Sequence, residues 1–393
     1  MLSDPFRRLT CAAVLTRFAD TGHTAVFALL AARLTDDPRL VSAVAACSFL
    51  PWVLFGLVSG ALVDRHSRRR LFLTADLVRA VLAFALATLL FTGHLSLAAV
   101  FIGAFAMTAL QTVSDSCLNS LVPALVRADG LGRANARLSM AQNGIGRLAG
   151  APATTALLAW KGPSAFLFTG AAFLCSAHLV RRLPDSEPER RAEPLRRDLH
   201  AGLAWIKGTP VVAAFVTTVG MTNFASGMST GVLPVLALYE LGMSPAAYGF
   251  LAAAGAAAMI EGNYLAGRLL ERMGAGTLAV LSVAVKVGGF ALYAFAASVS
   301  AALIAAAILG FTAGVWNVAS MTVLMRLIPD ELRGRILAAY KTVATALFPL
   351  GALLAGWIAH ALGVRWAFAA AGVLVIAAAL HLRVRSSRGP GRA

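Results

Sequence analysis

The chain has 393 residues, of which 59% are hydrophobic and only 13% charged, with a mean hydropathy of +0.77. Soluble domains are close to half apolar and about a quarter charged, so this balance excludes an ordinary soluble protein and points to a polytopic membrane protein. The formal net charge of +16 would suggest a nucleic-acid partner on a soluble chain, but the position of the charges excludes one.

A helix needs about 20 apolar residues to cross a ~30 Å hydrocarbon core. The first such run is 10–33, "TCAAVLTRFADTGHTAVFALLAAR". "PFRRLT" ahead of it resembles the start of a signal sequence. The run is nevertheless long, carries Arg17 and Asp20 and lacks a cleavage site, so it reads as a retained helix. A charge at the bilayer centre costs about 2.5–3.5 kcal/mol, which makes Arg17, Asp20 and the nearby His23 functional candidates. A rise of about 1.5 Å per residue from Thr10 puts Asp20 roughly 15 Å in, near the midplane. Spans follow at 40–62 and 71–93, then at 97–120, where Thr108, Gln111, Asp115 and Asn119 form one polar stripe. The span 138–160 carries Arg147 at about the depth of Asp20, and 163–182 completes a set of six. The segment 181–210 is proline-bearing, mixed in charge and long, and reads as a linker; Leu195–Ile206 within it predicts a short interfacial amphipathic helix. Six more spans are expected at 211–238, 246–268, 277–297, 300–324, 338–360 and 366–384. Glu261 lies in the second of these and Lys286 in the third. The four cysteines read as small apolar residues without a disulfide. The fold class is therefore an all-α membrane protein with twelve transmembrane helices.

On this plan one side of the membrane holds 26 of the 34 Lys and Arg residues and the other holds four: Arg33, Arg39, Lys161 and Arg365. Arg17, Arg79, Arg147 and Lys286 lie within spans. The asymmetry predicts a multi-pass protein of the plasma membrane with both termini and the linker cytoplasmic. The positive charge faces lipid headgroups and sets topology, so no nucleic-acid partner is implied.

The two sets of six repeat each other. "TRFAD" (16–20) recurs as "TNFAS" (222–226), "GALVDRHSRR" (60–69) as "GRLLERMGAG" (267–276), and "LVP" (121–123) as "LIP" (327–329), each 206 or 207 residues on. Gln111 matches Asn317 and Arg79 matches Lys286. A parallel repeat of two six-helix halves is a transporter architecture, with the substrate site near the midplane. The expected domains are 1–180, a linker at 181–210 and 211–393.

"GALVDRHSRRR" resembles the loop signature of the major facilitator superfamily, and "LVPALVRADGLGRANARL" (121–138) with "LIPDELRGRILAAY" (327–340) resembles its enterobactin exporter and macrolide efflux subgroup. The resemblance implies the major facilitator fold and a conformational latch in which Asp64, supported by Gly60, Arg65, Arg68 and Arg69, holds the cytoplasmic side closed. A plain basic loop is the other reading of that stretch. Ser67 stands where the family usually has Gly, and Ala151 separates the Gly150 and Pro152 that would be adjacent in the superfamily's antiporter pattern.

The spans hold four acids (Asp20, Asp76, Asp115, Glu261) against four bases (Arg17, Arg79, Arg147, Lys286), and such a balance suggests pairing. Arg17 and Asp20, at i and i+3, can pair on one helix face. Permanent ion pairs are one reading. The other is that an acid takes up a proton when its cation moves away, which is what antiport requires. Asp20 is then the first candidate, with Arg147 as its partner on a second helix, and Asp115 and Glu261 are the alternatives. His23 could relay protons. Together with Gln111, the residues Asn223, Phe224, Ser226, Trp316 and Asn317 would make an apolar lining with a few polar groups, suited to amphipathic organic molecules; ordinary helix packing is the alternative.

No phosphate-binding G-x-x-x-x-G-K-[ST], no Cys/His metal spacing and no G-x-S-x-G occurs, so neither an enzyme nor a cofactor is expected. The leading expectation is a monomeric secondary transporter exporting a drug or natural product by proton antiport. An importer, a lipid or lysolipid carrier of the same fold, and a non-transporting receptor on a transporter scaffold are the alternatives.

Overall fold

Runs rich in Ala, Leu and Val fold as helices here because only hydrogen bonds within the segment satisfy the backbone in an apolar medium. A computed structural model describes residues 4–126, 130–184, 205–206 and 208–386, and among these no β-strand occurs. The helices are α1 (Asp4–Leu34), α2 (Pro38–Arg65), α3 (Arg68–Phe91), α4 (Leu97–Leu125), α5 (Leu131–Ala141), α6 (Arg147–Trp160), α7 (Gly162–Arg181), α8 (Pro210–Val235), α9 (Pro245–Met273), α10 (Ala275–Ala294), α11 (Val299–Leu327), α12 (Arg333–Leu362) and α13 (Val364–Ser386). A π-helical turn, Gln142–Gly146, joins α5 to α6, and another, Leu236–Glu240, extends α8. The expected span 138–160 is thus composite. Leu195–Ala204 of the expected interfacial helix lies outside the described residues, as does the Asp64 side chain.

Nine helices among the described residues are long and apolar enough to cross a membrane. The α1 helix, the composite α5–α6 and α9 are not among them. Charge accounts for α1, which carries Arg7, Arg8, Arg17, Asp20 and Arg33, and for α9, which carries Glu261, Arg268, Glu271 and Arg272. Beyond its π turn, α6 has only 14 residues.

Two compact units form. One comprises Met1–Asp36, Cys47–Glu193 and Met243–Ala253, and the other Asp37–Ala46, Pro194–Gly242 and Ala254–Ala393. In the first, α1 packs on α6 and α7, and α3 on α4 and α7. Phe6, Leu9, Phe72, Leu118, Leu121 and Val180 close an apolar core there. In the second, α8 packs on α12 and α13, and α10 on α11 and α13. The start of α2 belongs to this second unit, with Ala45 and Ala46 against Ala352 of α12.

The repeated loop is built differently in the two units. Ser67 caps α3, its hydroxyl accepting from the Arg70 N–H at 3.3 Å. At the matching position Gly274 turns the chain into α10 with φ +74°, a conformation suited to glycine.

Candidate functional site

The polar residues of α1 divide between two neighbours. Arg17 donates to Asp115 of α4 at 3.0 Å, and the pair is partly open, its side chains 19% and 17% exposed. Asp20, one turn along, is buried and pairs with Arg79 of α3. Arg79 also donates to Asp76 at 3.1 Å, and Ser114, next to Asp115 on α4, donates to Asp76 at 3.3 Å. Two carboxylates thus share one guanidinium that is 0% exposed. The Phe173 ring of α7 lies 3.9 Å from Arg79 Cζ, a cation–π contact that covers the guanidinium face.

These pairings depart from the sequence expectation in two ways. Arg17 and Asp20 share a helix face in projection, yet Arg17 reaches α4 and Asp20 reaches α3. The second-helix partner of Asp20 is Arg79 and not Arg147. Asp76 and Arg79 are fully buried beside Asp20.

The composite helix brings Arg147 into the same region. At Gly146 a side-chain carbon would stand 2.9 Å from Arg17 Cβ, so only glycine lets the π turn approach α1 this closely. Thr21 ties the two, donating to the Gly146 carbonyl at 3.2 Å. A π turn frees such carbonyls by widening the helix, and π turns are frequent at functional sites. Arg147 follows directly and lies within electrostatic reach of both Arg17 and Asp115. Arg17, Asp115 and Arg147 therefore form the partly open side of one charged network and Asp20, Asp76 and Arg79 its sealed side, with Arg79 within electrostatic reach of Asp115 and Arg17.

The other expected site residues take varied places. His23 is buried, its ring edge-on to Phe27 at 5.7 Å and 6.4 Å from Phe173, so its surroundings are aromatic. Gln111 is buried on α4. In the second unit Asn223, Phe224 and Ser226 are partly buried on α8, with the Ser226 hydroxyl turned back onto the Thr222 carbonyl at 2.8 Å. Trp316 is buried and stacked on Phe215 at 5.6 Å, while Asn317 beside it is exposed, as is Glu261 on α9. Around the expected latch, Gly60 lies in the last turns of α2 and Arg65 is exposed. Arg68 donates to the Ser120 carbonyl at 3.1 Å and Arg69 to the Leu183 carbonyl at 2.9 Å. These two arginines thus cap chain ends of α4 and α7, where cations are favoured. Sequence reasoning missed this role; the basic residue facing a helix end was the available signal.

A family model described as transmembrane secretion effector matches residues 1–389. The chain is 22% identical over 363 residues to macrolide efflux protein A of Streptococcus pyogenes, covering 88% of this chain and 87% of that protein. It is 28% identical over 387 residues to the multidrug efflux pump Tap of Mycolicibacterium fortuitum, covering 91% and 90%. Among solved structures it is similar to the nucleoside transporter NupG, with a TM-score of 0.80 at 11% identity over 98% of this chain and 100% of that one. A bacterial homologue of the iron transporter ferroportin in an inward-facing state gives 0.75 at 16% identity, over 98% and 99%. At these identities the structural likeness shows the fold alone.

Proposed function

Since the chain belongs to the transmembrane secretion effector family of major facilitator transporters, we propose that it exports amphipathic organic molecules across the plasma membrane in exchange for protons. In this reading α1 to α4, the composite α5–α6 and α7 supply six spans from residues 1–180, and α8 to α13 supply six from 211–393. The 181–210 segment and both termini are cytoplasmic, and the transporter works as a monomer. Asp64, with Gly60, Arg65, Arg68 and Arg69, is the cytoplasmic latch. Asn223, Phe224, Ser226, Asn317 and Gln111 contact the substrate. The names of the macrolide and multidrug efflux relatives support export of drug-like molecules.

The observation that carries the exchange reading is the Arg17–Asp115 pair. A carboxylate that trades protons must meet water and must lose its cation in another conformation. Asp115 is partly open and has Arg17 of α1 and Arg147 at the start of α6 in reach, two cations on different elements, besides the sealed Arg79 of α3. Withdrawal of those guanidiniums lets Asp115 accept a proton, and their return expels it. Asp20 is closed off by Arg79 and serves to hold α1 to α3. The coupling role therefore passes from Asp20 to Asp115.

Reconstituted protein with a macrolide as probe and a pH-sensitive dye tests this. Macrolide moving one way and protons the other is expected, with Asp115→Asn still binding macrolide but moving no protons. Macrolide movement that ignores an imposed pH gradient overturns antiport, and movement with the protons indicates an importer.

A further inference from the structure

Lys286 lies on the buried stripe of α10 formed by Ser282, Val283, Lys286, Gly289, Phe290 and Tyr293, and it is 7% exposed. One turn away, Gly289 faces Leu309 of α11 and Phe290 faces Gly372 of α13. Among the described residues no hydrogen bond or ion pair reaches its amine. The composition of its neighbours explains why. Helices α8, α10, α11 and α13 contain no Asp or Glu. The charged or titratable groups on the helices packed against α10 are Arg326 on α11 and Arg365, His381, Arg383 and Arg385 on α13, all towards helix ends and none acidic. On α9, which precedes α10 in the chain, Glu261, Arg268, Glu271 and Arg272 are all exposed.

The repeat sharpens the contrast. Lys286 stands 207 residues after Arg79. Arg79 has Asp20 and Asp76 against it, whereas the positions matching those acids are Ser226 and Val283. An ammonium without a counter-ion in an apolar interior is among the costliest arrangements a protein can hold, and an uncharged amine on the same stem is not. The choice of side chain agrees: a guanidinium cannot shed its proton, so arginine stands where two carboxylates balance it and lysine where none does.

We propose that Lys286 is a proton-binding site of the second unit, a free amine while α10, α11 and α13 enclose it and an ammonium once water reaches it. One proton passes from that water to the lone pair of Nζ and returns to water when the helices close again. The site stands independently of transport; its use in the cycle rests on the exchange reading above.

The chain has only four lysines, Lys161, Lys207, Lys286 and Lys341, so nitrogen NMR of protein labelled at lysine Nζ can resolve them. At pH 9, where exposed lysines keep their charge, one signal is expected at the free-amine position, and it should vanish in Lys286→Arg, or in Lys286→Met if the arginine variant does not fold. Four ammonium signals overturn the proposal. Lys286→Met should melt no lower than the wild type, and Lys286→Arg, with its permanent charge, clearly lower; an arginine variant as stable as the wild type also overturns it. A free-amine signal in a protein that moves no protons with its substrate sinks antiport and leaves the site standing.

Discussion

Arg17 and Asp20 stand three residues apart on α1, and each pairs with a different helix: Arg17 with Asp115 of α4, Asp20 with Arg79 of α3. One helix thus carries both a charged pair that water can reach and one that it cannot. The two pairs should answer mutation in opposite ways, through transport for the first and through stability for the second.

For the open pair, Arg17→Asp and Asp115→Arg singly should impair substrate-driven proton movement, and the double exchange should restore part of it. The pair is partly exposed, so its contribution to stability should be small, on the order of 1 kcal/mol or less in a double-mutant cycle. A double variant as inactive as the worse single would show that the charges act in fixed positions and not as a pair.

For the sealed cluster, Arg79→Leu leaves Asp20 and Asp76 facing each other without a cation. Removing one partner of a buried ion pair costs about 3–5 kcal/mol, and two carboxylates lose theirs here. A sharp fall in melting temperature or loss of monodisperse protein is expected. Replacing all three residues by Leu should recover much of the loss. An unaltered melting temperature in Arg79→Leu would remove the structural role assigned to the cluster.

At the opposite end of α1, the Asp37 carboxyl accepts from the Arg39 backbone N–H at 2.9 Å and from its guanidinium at 3.0 and 2.8 Å. The Arg39 hydrogen bonds hold Asp37 down to about 2. A lowered carboxyl contributes stability that is present above its ordinary value, roughly 3.9, and is lost as pH falls towards the folded value. Asp37→Asn should therefore melt below the wild type above about pH 5, with the gap closing towards pH ~2. A gap independent of pH would assign the effect to something other than ionisation.

Topology can be read by labelling single cysteines in a background without Cys11, Cys47, Cys117 and Cys175. Asp36→Cys and Leu362→Cys should react with an impermeant reagent from outside, and Glu271→Cys only after permeabilisation. Gly363, one residue beyond Leu362, is a poor choice because its φ of +99° strains any side chain. The reverse labelling pattern would invert the orientation.

The helices were legible because hydrophobic runs, Gly and Pro breaks and clustered arginines mark where each can begin and end. Most ends lie within a few residues of expectation, and the largest extensions, at the start of α1 and at the start of the composite α5–α6, are arginine-bearing turns that a hydropathy window discards. The set of charged residues in the spans was legible for the same reason, since a charge in an apolar run is conspicuous. Which charge meets which was not. Helical spacing predicts partners on one helix, whereas the pairs here depend on how α1 is rotated against α3 and α4. The π turn was invisible because "QNGIG" has the composition of any glycine-bearing helix stretch. His23 and Trp316 look alike in the sequence to residues lining a pathway; only packing shows them enclosed by Phe27, Phe173 and Phe215.

The π turn at Gln142–Gly146 also has a consequence for phase. A wider turn absorbs about one residue more than an α-turn, so everything after it is rotated by roughly 100° relative to a continuous helix. The turn therefore behaves as a one-residue insertion that the helix has kept. Deleting one of its residues would let α5 run straight into α6 with Arg147, Gly150 and Thr154 still on the face that meets α1, whereas straightening the turn at full length would swing all three by about 100°. The alignment of that whole face therefore needs the turn and its extra residue together or neither: a one-residue deletion here should be tolerated for packing, and a one-residue insertion should not.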